Sequence, residues 1–214
     1  GDRPIAGVAL RDASAGATGE LVFDLMHRAG GPWPEHADLP LYVSILTDTG
    51  GFRFSNTTHT CLRIAAELVE RGVRPDETYR QIYGTSPRRR IRLLQSALAS
   101  LEVDERARVA WMTVPNDEYD AAGAVPDDLV GFVDYPRSIE AVEVGLLFRK
   151  IAKKGIKVSF RSNGAVDVNS LARRFGGGGH VRASGALIQG ALEQVRHDVV
   201  QATREAVELS SSVS

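Results

Sequence analysis

Two strand-like runs joined by a basic turn constrain this chain more than any other feature. Residues 142–150 read VEVGLLFRK and residues 157–163 read KVSFRSN, with Lys153-Lys154-Gly155 in the connection between them. Apolar runs of this length, closed by a glycine-bearing turn, predict the two strands of a hairpin. VAWMTV at 109–114 predicts a further strand, and SGALIQG at 184–190 another. Helical patterns lie among them. VNSLARRF at 168–175 predicts a short helix, and ALEQVRHDVVQATREAVEL at 191–209 a long one with Leu192, Val195, Val199, Ala202 and Ala206 on its apolar face. Strands interleaved with helices place this half in the α/β class. The tail 210–214 is expected to be disordered.

The first half carries longer helical patterns. A helix is expected from about Thr18, read as its N-cap, to Gly30-Gly31, with Leu21, Val22, Leu25 and Met26 as its apolar stripe. Residues 41–46 form a nearly continuous apolar run, read as a strand buried on both faces and ending at Thr47-Asp48-Thr49-Gly50-Gly51. An amphipathic helix follows, with Leu62, Ala65, Ala66 and Val69 facing one way and Gly72 beyond its end. Pro75 opens a short helix. SPRRRIRLLQSALASLEVDE at 86–105 predicts a longer one, with Ile91, Leu94, Leu98 and Leu101 on one face. That helix reads as a connector between two domains, with a hinge in the polar run 102–107. Its cluster Arg88-Arg89-Arg90-Arg92 reads as a solvated face.

Composition narrows the function. The formal net charge is −1, so no global basic field draws in long nucleic acid, and any anion binding must be local. The single cysteine, Cys61, suits a reducing compartment, and the cytoplasm is the expected location. No apolar run is long enough to span a membrane, and no secretory signal is visible; Asn56-Thr57-Thr58 is therefore read as a chance match to a glycosylation site. His27, His36, His59 and His197 lack metal-ligand spacing.

Three places invite chemistry. RFGGGGHVRASG at 174–185 sets four glycines before His180. Consecutive glycines can turn their N–H groups inward as an anion-binding nest, with His180 and Arg182 adding donors. The run lacks the Lys-Ser/Thr of a phosphate-binding loop and the spacing of a dinucleotide fingerprint, and a tight helix-to-strand turn is the competing reading. FRSNG at 160–164 puts Arg161, a bidentate phosphate donor, beside Ser162; an edge-strand arginine before a turn is the alternative. Asp48, at the end of its run, reads either as a turn cap or as a ligand for a hard divalent metal.

Together these motifs resemble a known family. FGGGGHVRASG is similar to the signature of the DHH-associated domain, Gly-Gly-Gly-Gly-His-x-x-Ala-Ala-Gly, with Ser184 in place of the second alanine. VSFRSNGAVDVNSLARRF resembles the strand, turn and helix that precede it, and FVDYPRSIEAVEVGLLFRK a further segment of the same domain. LYVSILTDTGGFRFSNTT resembles the last motif of the DHH domain, and DASAGATGELVFDLM the helix after its Asp-His-His triplet. The likeness covers nearly the whole chain. It points to the DHH phosphoesterases, in the NrnA-like branch of nanoRNase/oligoribonucleases and 3′-phosphoadenosine-5′-phosphate phosphatases.

The resemblance implies a fold and an activity. The expected architecture is the end of a parallel-sheet DHH domain at 1–87, a connector helix at 88–104, and a smaller mixed-sheet α/β DHH-associated domain at 105–214. It implies an enzyme that uses Mn²⁺ or Mg²⁺ in a two-metal site to hydrolyse very short oligonucleotides or 3′-phosphoadenosine-5′-phosphate, by attack of a metal-held hydroxide on phosphorus. Carried over, Gly177, Gly178, Gly179 and His180 hold the substrate, helped by Arg161 and Ser162, and Asp48 is a metal ligand. Asn163 stands where many relatives have lysine. The chain contains no Asp-His-His, so most metal ligands are expected upstream of Gly1, on a segment of roughly 100–150 residues, and this chain alone is expected to be inactive. A homodimer with no membrane association is expected. Two other readings stand beside this one: a non-catalytic nucleotide-binding module, and an RNA-binding accessory domain.

Overall fold

The computed structural model describes residues 10–152 and 154–211. The chain divides into two compact units, one ending at Thr85 and the other beginning at Ser86.

The described part of the first unit is helical: α1 (Thr18–Ala29), α2 (Asp38–Asp48), α3 (His59–Glu70) and α4 (Pro75–Ile82). The strand expected at 41–46 is instead the middle of α2. A continuous apolar run does not by itself distinguish strand from helix. Here Leu41, Tyr42, Ile45 and Leu46 are the buried residues, an i, i+1, i+4, i+5 set that only a helix places on one face. Asp48 is therefore the last residue of a helix, and the described residues of this unit contain no parallel strand.

The buried faces of α1 and α3 also depart from expectation. The N-cap of α1 is Ala17, not Thr18, and Glu20 completes that end: its Oε1 accepts from the N–H of Gly16 at 2.6 Å and of Ala17 at 3.1 Å. Gly19, Glu20 and Phe23 are buried, whereas Val22 and Leu25 are exposed. The reason is close approach. A Cβ added at Gly19 would stand 3.0 Å from Ser44, so α1 meets α2 through its smallest residue; Val22 and Leu25 are turned away, while Phe23 and Met26 pack into the core. On α3 the core face is Cys61, Ile64, Ala65 and Leu68, with Leu62 and Val69 exposed. Thr58 caps this helix through the N–H of Cys61, and Gly72, at φ +110°, ends it.

The second unit is built on a six-stranded sheet. Its elements are α5 (Arg88–Ala99), β1 (Glu102–Asp104), β2 (Val109–Val114), α6 (Asn116–Ala121), a 3₁₀ turn (Pro126–Leu129), α7 (Asp134–Arg137), β3 (Val144–Ile151), β4 (Gly155–Ser162), α8 (Val168–Arg173), β5 (Gly178–His180), β6 (Ala183–Ile188) and α9 (Leu192–Ser211). The strand order is β1-β2-β3-β4-β6-β5. Only β2 and β3 run parallel; the other neighbours are antiparallel. The predicted hairpin is β3–β4, with Ile151 opposite Gly155; Lys153 lies outside the described residues. Glu102–Asp104 pairs with Val109–Trp111, so the expected hinge is a hairpin locked into the sheet. Ser210 and Ser211 continue α9 rather than fraying, and 212–214 lie outside the described residues.

The sheet is covered on both faces. Val109, Val144, Leu146, Phe148, Val158 and Phe160 pack with Leu171 of α8 and Val195 and Val199 of α9. On the opposite face, Met112, Val114 and Leu147 pack with Leu93 and Ala97 of α5 and with Phe132 and Val133. Ile91 of α5 is exposed, because α5 presents Leu93 and Ala97 to the sheet. Nor is its basic cluster wholly a solvated face. Arg89 Nε donates to Asp128 Oδ2 at 2.8 Å, and Arg90 donates to the backbone carbonyls of Asp128 and Val130 and lies over the Phe132 ring. Asp128 is almost fully buried. The two arginines thereby fix the segment from Pro126 to Val133 against the sheet.

Candidate functional site

β4 divides its side chains strictly between the two faces of the sheet, as strands must. Ile156, Val158 and Phe160 enter the core under α8 and α9, so Lys157, Ser159 and Arg161 stand on the other face. The register carries that second row across the sheet. Arg161 is opposite Ala183, which is opposite His180; Ser159 is opposite Gly185, which is opposite Gly178. Directly paired residues share a face, so Arg161 and His180 rise from the same side, two strand spacings or roughly 10 Å apart. Between them the floor is Ala183, Gly185 and Gly178. The result is a shallow trough with a cationic rim at one side and an exposed imidazole at the other.

This arrangement sorts the glycines. Gly176, at φ +73°, makes the turn out of α8. A Cβ on Gly177 would lie 2.2 Å from the Gly185 carbonyl oxygen, and one on Gly179 would lie 2.6 Å from that of Ala183. Both residues are glycine so that β5 can lie close against β6. Gly178 differs: its φ is ordinary, and the nearest atom to an added Cβ is Asn169 Oδ1 at 3.7 Å. Its open side belongs to the trough. The nest expected from successive N–H groups is not formed. Gly176 and Gly177 donate to the carbonyls of Arg173 and Ala172 at the end of α8, and Gly179 donates to Asn169 Oδ1.

Ser162 does not face the trough. It lies on the core face, opposite in direction to Arg161, and is 3% exposed. Its hydroxyl donates to Glu143 Oε1 at 3.2 Å and accepts from the N–H of Gly164. Counting by two from Phe160 contains this result. Glu143, which the motifs did not single out, organises the turn: it also accepts from the N–H of Ala165 at 2.7 Å and pairs with Arg108 at 3.3 Å. Asn163 bolts the turn to α7. It donates to the carbonyls of Arg137 and Val142 and accepts from the Arg137 guanidinium at 3.1 Å.

Arg161 is half-buried, and one of its nitrogens donates to the Phe160 carbonyl at 3.0 Å. Burial lowers its pKa from the ordinary guanidinium value; Asp134 opposes that shift and Arg137 adds to it. Its charge persists, because an arginine starts far above neutrality. A partly dehydrated guanidinium exchanges little water when an oxyanion arrives, which favours binding.

Asp48 lies in the first unit. It is exposed and lines a hollow with Asp12, Gly16, Ala17 and Leu21. The Asp12 carboxyl is held below its ordinary range by hydrogen bonds from the hydroxyl and N–H of Ser14. No group of three metal-ligating side chains assembles among the described residues. The described residues therefore do not fit a two-metal centre.

Comparison with known proteins fits the second unit. Residues 108–208 match the DHHA1 domain family. This region is a DHHA1 domain. The trough, from Arg161 to His180, lies inside it. Over 197 residues, 91% of the chain, the sequence is 38% identical to a Thermus thermophilus protein named bifunctional oligoribonuclease and PAP phosphatase NrnA, and covers 58% of that protein. It is 29% identical over 180 residues to the Bacillus subtilis protein of the same name, covering 83% of this chain and 56% of that one. A crystal structure of an exopolyphosphatase-related protein from Bacteroides fragilis superposes with a TM-score of 0.86 at 31% identity, over 92% of this chain and 59% of that one. The chain thus spans somewhat more than half the length of the curated relatives it matches.

Proposed function

We propose that this chain is the substrate-gripping part of a phosphoesterase acting on very short oligonucleotides and on 3′-phosphoadenosine-5′-phosphate. One observation carries the reading: Arg161 and His180 flank a floor of Ala183, Gly185 and Gly178 on one face of the DHHA1 sheet. A phosphate-bearing nucleotide end fits that chemistry, with Arg161 taking the phosphate oxygens and His180 adding a donor. The small floor lets a sugar or base lie against backbone. Gly177, Gly179 and Ser162 support the trough from beneath instead of touching the ligand. Such a grip favours short substrates, because binding energy comes from one end rather than from tracking a backbone. The names of the relatives support the substrate class. A divalent ion, Mn²⁺ or Mg²⁺, is proposed for the whole protein. The part given to Asp48 in holding it rests on the resemblance alone, and no chemical step is assigned to it.

The test uses the whole protein of which this sequence is a part. Arg161→Ala and His180→Ala are each expected to lower kcat/KM for a dinucleotide by about 10- to 150-fold, the range for losing a hydrogen bond to a charged group. Bound metal should stay unchanged in the same preparations. Full activity in both variants, or loss of metal with either, would remove the trough from the mechanism. Tight nucleotide binding with no turnover by the unmodified protein would favour a non-catalytic binding module instead.

A further inference from the structure

Arg161 borders a second cavity, on the side of β4 away from the trough. Its volume is about 210 Å³, below the usual range for drug-sized ligands. Arg149, Lys157, Ser159 and Arg161 rise from β3 and β4 on one side, and Leu129 and Val130 close the other. No carboxylate lines it.

Arg149 is the unexplained member. It is only 9% exposed, yet no salt bridge or side-chain hydrogen bond engages it among the described residues. Its guanidinium carbon lies 4.6 Å from the centre of the Tyr119 ring. That contact offsets part of the cost of burying a cation, and the guanidinium nitrogens, which are not among the buried atoms without a partner, open onto the cavity. A largely buried arginine whose donors face a cavity without a carboxylate offers an oxyanion a ready partner. The wall opposite is itself fixed, by Arg89 and Arg90 holding the 3₁₀ turn.

We propose that this cavity is an anion subsite for one phosphate group, bound by Arg149, Lys157 and Arg161 with the Ser159 hydroxyl. The size suits one tetrahedral oxyanion. The proposal deepens the trough reading and rests on it only for the source of the phosphate: a second phosphate of the bound nucleotide, or free inorganic phosphate.

The experiment is a titration of the full 214-residue chain followed by NMR of backbone amides and arginine Nε–Hε groups. The probes are potassium phosphate, 3′-phosphoadenosine-5′-phosphate, and potassium chloride at matched ionic strength. Saturable shifts at Arg149, Ser159 and Val130 with either phosphate probe, absent with chloride, are expected. Lys157→Ala should weaken binding about fivefold, as for a partly exposed charge contact. Arg149→Met should abolish it; Arg149→Lys, which keeps the charge, serves if the methionine variant fails to fold, and should weaken binding without removing it. His180→Ala should leave inorganic phosphate binding intact. Response to the nucleotide alone identifies its phosphate as the source; response to both identifies the free ion as sufficient. Shifts confined to His180 and Gly178 would overturn the cavity while sparing the trough. Shifts no different from chloride would overturn the cavity outright, and loss of trough activity in the enzyme assay with cavity binding retained would remove only the functional reading.

Discussion

The two units solve the burial problem with different residues. In the DHHA1 unit, large side chains alternate along β3 and β4 and fill the core: Leu146, Phe148, Val158 and Phe160 are almost wholly buried. In the helical unit the core is also apolar, but on α1 and α3 small and polar residues take places on the buried face. Gly19, Glu20 and Cys61 lie inward, with the Cys61 thiol donating to Glu20 Oε1 at 2.9 Å, while Val22, Leu25, Leu62 and Val69 face out. A strand leaves its side chains only two directions, and pairing fixes which is which. A helix can rotate about its axis until its closest approach is satisfied, so Gly19 of α1 can outweigh Val22 and Leu25.

That contrast can be broken by mutation. The largest effect is expected at the centre of the sheet, where Phe160→Ala should destabilise the chain by about 3–5 kcal/mol, read from urea unfolding. Next comes Gly177→Ala. Its added methyl would meet backbone at 2.2 Å, and the cost should be about 1–3 kcal/mol. Gly178→Ala, one residue along, has room and should leave stability within about 0.5 kcal/mol while narrowing the trough. A rise in KM without loss of stability would confirm that the two neighbours serve different ends; equal destabilisation would merge them.

The Arg89–Asp128 pair sharpens the comparison through pH. Hydrogen bonding from Arg89, then from the N–H of Val125, holds the Asp128 carboxyl below its ordinary value of 3.8. A depressed folded-state value means that the stabilisation is complete above the unfolded value and is lost as pH falls through the folded one. Arg89→Ala should therefore cost about 1–3 kcal/mol at neutral pH, with the difference from the unmodified chain shrinking below about pH 4. A pH-independent difference would assign Arg89 a packing role only. The smallest effect belongs to the helical unit: Leu25→Ser, at an exposed position, should change the stability of this chain by less than about 0.5 kcal/mol.

The same contrast explains what the sequence made legible. The β3–β4 hairpin, β2, α8, β6 and α9 follow from alternation or helical spacing bounded by glycine and polar residues. The run at 41–46 was not legible as a helix, because an apolar stretch without polar interruption has no period to read. Gly19 gave no sign that it would orient α1, since its effect depends on where Ser44 lies. Within the candidate site, Arg161 and His180 share one face of the sheet, and Ser162 points to the other, as the strand period from Phe160 already places it. Glu143 and Arg149 carry no local motif; only the folded sheet brings Glu143 to the turn and leaves Arg149 buried beside a cavity. Arg89 and Arg90 look like surface charge until Asp128, nearly forty positions away, folds against them.

His180 sits on β5, at one margin of the sheet, and β1 forms the other; each is three residues long. An open margin normally offers its unused backbone groups to any passing extended chain, and long flat margins promote aggregation. Here the outermost strand at either side offers a foreign strand only three residues to pair with. At the β5 side the run is preceded by the tight turn out of α8, and at the β1 side Glu102 and Asp104 add charge. The domain can thus keep its imidazole at an accessible rim without turning that rim into a template for self-association.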